Sequence, residues 1–265
     1  MSISNNRYSQ LIDYIFHKYY KKGKKEILFE RSDFKITAKK LRIELPKNLG
    51  DIIYSFRYRA NLPEKIQKKA KKDYEWVIVP KGQSKYAFVQ RKLSKIIPNL
   101  MMSIIKIPDA TPGIVMKYSL EDEQALLVKL RYNRLIDIFT GITCYSLQNH
   151  LRTTVHEMGQ VETDEIYVGI DRKGAQYVLP IQAKSGSDQM GIVQIEQDIA
   201  VCKDKFPNLI CRPIGAQFIK DGQIALFEFE ESNKVVSILV EKHYKLVPPN
   251  DLSEEELIKY RESLN

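Results

Sequence analysis

Three residues near the middle of the chain have the types and spacing to do chemistry: Asp164 in VETDEIYVGI, and Gln182 and Lys184 in AQYVLPIQAK. Both segments read as strands, and DRKG between them reads as a tight turn with Gly174 at a left-handed position. Residues two apart on a strand share a face. Glu162 and Asp164 therefore point one way, and Gln182 and Lys184 likewise share a face. Pairing through the turn brings a carboxylate, an amide oxygen and an ammonium to adjacent strand ends. Phosphodiester hydrolysis with a divalent ion needs this kind of set. Hard oxygens hold Mg2+ with several waters retained. The ion offsets charge at the attacked phosphate and lowers the pKa of a bound water, while a nearby lysine steadies developing negative charge.

Other chemistries are set aside on the same grounds. His156-Glu157 begins like a zinc-protease helix, but Gln160 stands where the second histidine is needed. His17, His150, His156 and His243 are scattered without metal-ligand spacing. The chain has no GxxxxGK[ST], GxGxxG or GxSxG. Cys144, in an apolar stretch, reads as core. Cys144, Cys202 and Cys211 form no CxxC pair and leave an odd count, which favours a reducing, cytoplasmic setting.

The order acid, turn, (D/E)xK resembles that of the PD-(D/E)XK nucleases over roughly residues 120–230. Asp164 matches the superfamily's first acid, Gln182 the second-acid position and Lys184 the lysine. QxK in place of ExK is similar to the variant of Mrr-like restriction nucleases, and Thr163 stands where the family carries a proline. The whole segment GQVETDEIYVG…LPIQAKSG resembles restriction-endonuclease-like proteins of prokaryotic defence. The resemblance implies a Mg2+-dependent enzyme, with Mn2+ as a substitute, that cuts double-stranded DNA and often acts as a homodimer. It further implies the Ala183 carbonyl as a metal ligand beside Asp164 and Gln182, and a cognate DNA methyltransferase in the same system. Gln182 is neutral, so the site holds one negative charge fewer than an ExK site. Glu162 is one candidate to make up the difference; Gln148 and Glu157, just upstream, are others. Gln194, Gln197 and Asp198 read as the polar face of the next helix, with contact to water or phosphate as the alternative.

Charge divides the chain. Residues 1–100 carry 24 Lys and Arg against 9 Asp and Glu, and the remainder carry 18 against 24. The net charge of +9 thus comes wholly from the first hundred residues, which calls for a polyanion, of which nucleic acid is the obvious one. Helices are expected in RYSQLIDYIFHKYY, ITAKKLRIEL, GDIIYSFRYR and LPEKIQKKAKK, followed by a hairpin of YEWVIV and KYAFVQ. That order has the pattern of a winged helix. In the fourth helix Lys65, Lys68, Lys69 and Lys72 would share one face; Lys65, Lys68, Lys69, Arg57 and Arg59 are the expected DNA contacts.

A break at IPNLMMSIIKIPDATPG separates the halves, giving a basic DNA-recognition domain over 1–110 and a catalytic domain over 111–265. Residues 120–155 read as helical with a kink at Gly141. After the QAK strand come a helix in IVQIEQDIAVCKDKF, strands in LICRPIGAQFIK, QIALFEFEE and VVSILVEK, and a short C-terminal helix capped by Ser253 and Glu256. The expected fold class is α/β (α+β): a helical, winged-helix-like domain and a mixed sheet flanked by helices. At 265 residues the chain has length for this, with 43% hydrophobic and 28% charged residues, and no window of eighteen apolar residues suits a membrane. A type II restriction endonuclease is the leading expectation. A catalytically inactive DNA-binding regulator and a structure-specific resolvase or repair nuclease are the alternatives.

Overall fold

The computed structural model describes residues 7–92, 95–119, 123–156, 158–185 and 188–262, the side chains of Tyr58 and Arg59 excepted. In chain order the helices are α1 (Arg7–Tyr19), α2 (Arg31–Leu41), α3 (Gly50–Tyr54), α4 (Glu64–Gln67), α5 (Gly113–Tyr118), α6 (Glu123–Tyr132), α7 (Leu135–Thr140), α8 (Ile192–Lys205) and α9 (Glu254–Glu262). The strands are β1 (Glu26–Glu30), β2 (Glu75–Pro80), β3 (Lys85–Arg91), β4 (Lys95–Ile96), β5 (Ile104–Pro108), β6 (Thr143–Val155), β7 (Gly159–Ile170), β8 (Gln176–Lys184), β9 (Met190–Gly191), β10 (Ile210–Cys211), β11 (Ile214–Phe218), β12 (Gln223–Ser232) and β13 (Val235–Val247). Among the described residues no helix is long and apolar enough to cross a membrane.

The fold is mixed α+β and divides into two compact units. The first is drawn from residues 1–96, 152–162 and 188–204, the second from 97–151, 163–187 and 205–265. The chain leaves the first unit after Ile96 and returns to it twice, whereas the division read from charge places one cut at residue 110.

In the first unit, Leu11, Ile12, Ile15 and Phe16 recur at helical spacing and bury one face of α1. β1 alternates, with Ile27 and Phe29 inward. It joins an antiparallel sheet of order β1-β3-β2. These faces meet around Phe34, Ile52, Ile66, Trp76 and Phe88, with the Phe16 and Trp76 rings edge to face at 5.2 Å. A reciprocal Glu30–Asp33 capping box starts α2, and Arg42 in the left-handed region ends it. α3 runs directly into one π-helical turn, Ser55–Arg59.

The expected lysine helix is corrected: α4 spans only Glu64–Gln67. The Gln67 amide closes both backbone hydrogen bonds of Trp76, at 2.9 and 2.8 Å, and residues 68–74 form turns between α4 and β2. Lys72 lies outside α4, and the four lysines do not share a helical face.

An eight-stranded mixed sheet follows the path β5-β13-β12-β11-β8-β7-β6, with β10 also beside β8. β7 and β8 pair antiparallel, while β8 and β11 run parallel and are joined in sequence through α8. β8 is buried from Val178 to Lys184. On one side of the sheet Leu126, Leu127 and Leu130 of α6 and Leu135 and Ile136 of α7 pack with Leu179, Ile181 and Ala183. Cys144 is in this core, and burial pushes its thiol up to about 11.

Two further expectations are corrected. Residues 143–155 form strand β6, not a continuing helix. Gly141, at φ +69°, ends α7 in the left-handed region, and β-branched Ile142 and Thr143 follow. β6 lies at the end of the sheet and exposes most of its residues, so its sequence lacks two-residue alternation. Gly169 lets β7 close on the segment before it: a Cβ there would stand 2.6 Å from Ile142. IIKIP, read as part of a break, is strand β5, paired with β13 far along the chain.

Candidate active site

The β7–β8 turn sets the site's frame. Asp171 accepts from the Lys173 and Ala175 amides at 2.8 and 3.0 Å, and Gly174 adopts φ +84°. From this turn the ladder runs to Glu165 opposite Ile181. One residue beyond, Asp164 uses its side chain in place of the ladder: Oδ2 accepts the Ala183 backbone N–H at 2.8 Å. Burial pushes the Asp164 carboxyl above the usual range. The Lys184 ammonium and the Ala183 amide pull against that shift, and Glu123 adds to it.

Gln182 and Lys184 follow Ile181 on β8, 1% and 8% exposed. A buried ammonium needs acceptors. Lys184 Nζ donates to Glu123 Oε1 at 3.0 Å and to its neighbour's carbonyl, Ala183 O, at 2.8 Å, and lies 4.0 Å from Asp164 Oδ2.

Glu123 is the residue that reading the sequence missed. It is the first described residue of α6, and the leucines of α6 that pack on β8 carry it to the end of that strand. Its sequence signal, an acid opening an amphipathic helix, looks the same as an ordinary favourable charge at a helix start. Next to it, Gln124 hydrogen-bonds the exposed His150 ring at 2.8 Å, and His150 takes a left-handed backbone (φ +48°) within β6.

The other candidates are placed differently. Glu162 is exposed, belongs to the first unit and pairs with Arg152 at 3.1 Å. Gln148 is exposed on β6, and Glu157 lies outside the described residues. Gln194, Gln197 and Asp198 also belong to the first unit; all three are buried along α8, so they do not form a solvated polar face. Lys65, Lys68 and Lys69 are exposed, Lys68 in an ion pair with Glu64 at 2.7 Å. Arg57 is half-buried on the π turn, and the side chain of Arg59 lies outside the described residues.

Among the described residues no three His, Cys, Asp or Glu side chains cluster as a metal site. The oxygens gathered around Lys184 Nζ are those of two carboxylates, Glu123 and Asp164, and the Ala183 main-chain carbonyl. Mg2+ is held by one or two carboxylates and keeps several waters, so this set fits it. That Glu123 and Ala183 already share a side-chain cation shows that their oxygens are aimed at one point. Comparison with known proteins gives no match: no family model fits the chain, and no curated protein or solved structure matches it.

Proposed function

We propose that the chain is a Mg2+-dependent DNA endonuclease, of type II restriction type, hydrolysing phosphodiester bonds in double-stranded DNA. The observation that carries this is the meeting of Glu123, Asp164 and Lys184 at the end of β8. The β7–turn–β8–α8–β11 order, with β8 and β11 parallel, supports the likeness to the PD-(D/E)XK core. For the first unit, a winged-helix-like DNA-reading role is supported by helices α1–α4 sharing a core with an antiparallel sheet of order β1-β3-β2 and by its basic charge.

Asp164 and Glu123 would hold the ion, with the Gln182 amide and Ala183 carbonyl as neutral ligands. The bound ion would lower the pKa of a water and neutralise charge on the phosphate. Lys184 would donate to the phosphate oxygen or orient the attacking water. The Ala183 N–H fixes the Asp164 carboxylate, and the α6–β8 packing fixes Glu123. A homodimer on a two-fold DNA site and a cognate methyltransferase belong to the same reading.

Unmethylated phage DNA in Mg2+ is expected to give discrete fragments. Intact DNA in both Mg2+ and Mn2+, with a gel shift retained, would favour binding without cutting, the reading supported by the neutral Gln182. Cutting confined to junctions or flaps would mark a resolvase or repair nuclease.

Replacing Lys65, Lys68 and Lys69 together with alanine is expected to lower DNA affinity across sequences. It should also flatten the salt dependence by about 0.9 in log–log slope for each phosphate that is no longer neutralised. Titration at several salt concentrations reads the slope; an unchanged slope returns these lysines to a solvated surface.

A further inference from the structure

We propose that the Lys184 ammonium occupies the cation position of the metal-free site, so that a divalent ion binds only by displacing it. The inference rests on the metal-centre reading above. It adds that the lysine and the ion compete for the same oxygens rather than sitting side by side from the outset.

Three oxygens converge on Nζ from three parts of the chain: Glu123 Oε1 from α6 at 3.0 Å, the Ala183 carbonyl from β8 at 2.8 Å, and Asp164 Oδ2 from β7 at 4.0 Å. An ammonium has three donors and no acceptor, so it seeks the same hard oxygens that Mg2+ seeks. Mg2+ requires ligand distances of about 2.0–2.1 Å. An ion bound to Glu123 and Ala183 at that range would have Nζ as a close neighbour of like charge, in a site where Lys184 is 8% exposed. Like-charge repulsion at that range favours one cation at a time on those oxygens.

Metal entry therefore breaks the Glu123 and Ala183 bonds to Nζ. The four-carbon stem is flexible and lets the ammonium swing without backbone movement. Before metal arrives, the ammonium keeps the partly exposed Glu123 and Asp164 carboxylates from facing each other uncompensated. Afterwards it is released beside the ion, where a phosphate oxygen or attacking water would lie.

Removing the lysine's charge should thus strengthen metal binding while disabling the enzyme. Lys184→Met is expected to bind Mn2+ about tenfold more tightly than wild type or better, since it abolishes two charge-assisted hydrogen bonds that the ion must otherwise break. Lys184→Arg, which keeps the charge, should stay near wild type. The measurement is Mn2+ binding by calorimetry and by the electron paramagnetic resonance signal of free Mn2+, on the full chain without DNA, with circular dichroism to check folding. Lys184→Gln is read in place of the methionine variant if that one does not fold. Equal or weaker Mn2+ binding by the neutral variant, with wild type binding, overturns the displacement. Absence of binding by wild type and neutral variants alike overturns the metal centre itself and the displacement with it.

Discussion

Asp164→Asn is expected to lower metal-dependent DNA cleavage about a thousandfold or more while leaving DNA retention in a gel shift intact. The variant removes one of two carboxylates that would hold the ion. A bound ion contributes several kcal/mol of charge stabilisation at the transition state, and each 1.4 kcal/mol or so is tenfold in rate. The amide oxygen of asparagine can still accept the Ala183 N–H, so the strand end keeps its geometry. The same variant should melt higher than wild type at neutral pH in the presence of a chelator. Burial raises the folded-state pKa of Asp164 above its ordinary value. A raised carboxyl means that stability is lost as pH climbs from the ordinary carboxylate range through the folded value, because only the folded state resists giving up the proton. Asparagine has no proton to lose. Melting curves taken across that pH interval check the sign; a variant less stable than wild type at neutral pH would make Asp164 a structural anchor.

Arg131→Ala is expected to cost about 3 kcal/mol of stability, the low end for a broken buried pair because the Arg131 side chain is itself 37% exposed. Glu165, next to Asp164 on β7 and opposite Ile181 of β8, is fully buried. Arg131 reaches it from α6 with Nη2 at 2.8 Å and Nε at 3.2 Å, and the Ser146 hydroxyl also donates to it. Removing the guanidinium leaves a buried carboxylate without its counter-ion, the case in which a broken pair costs most. For a chain of this size the melting temperature should fall by about 10 °C. Arg131→Met combined with Glu165→Gln should recover much of the loss, since no charge then remains to bury. Arg131 also ties α6 to β6 through Asn149 at 3.0 Å. Its loss therefore loosens the helix that carries Glu123, and cleavage should fall with stability. An unchanged melting temperature for the single variant would show that water or neighbouring groups already satisfy Glu165.

Much of the architecture follows from local pattern. The stripe of Leu11, Ile12, Ile15 and Phe16 makes α1, the Asp171–Gly174 turn makes the β7–β8 hairpin, and the Ser253–Glu256 capping box starts α9. These are visible in the sequence because a turn, a cap or an amphipathic face is specified by residues within a few positions of each other. Asp164, Gln182 and Lys184 were legible for the same reason: one hairpin holds them.

Where pattern failed, distant contacts decide. β6 lacks alternation because it ends the sheet, and after α4 the chain turns back to β2, where the Gln67 side chain holds the Trp76 backbone. Gln194, Gln197 and Asp198 are polar yet buried. By itself the sequence determined the hairpin that carries Asp164, Gln182 and Lys184, the basic first hundred residues and the mixed α+β class. Only the tertiary structure decided that Glu123, rather than a residue just upstream of Asp164, faces Lys184. The physical reason is that a helix's first residue carries no mark of where its far face packs. Leu126, Leu127 and Leu130 settle that by burying apolar surface against β8, and the carboxylate arrives with them.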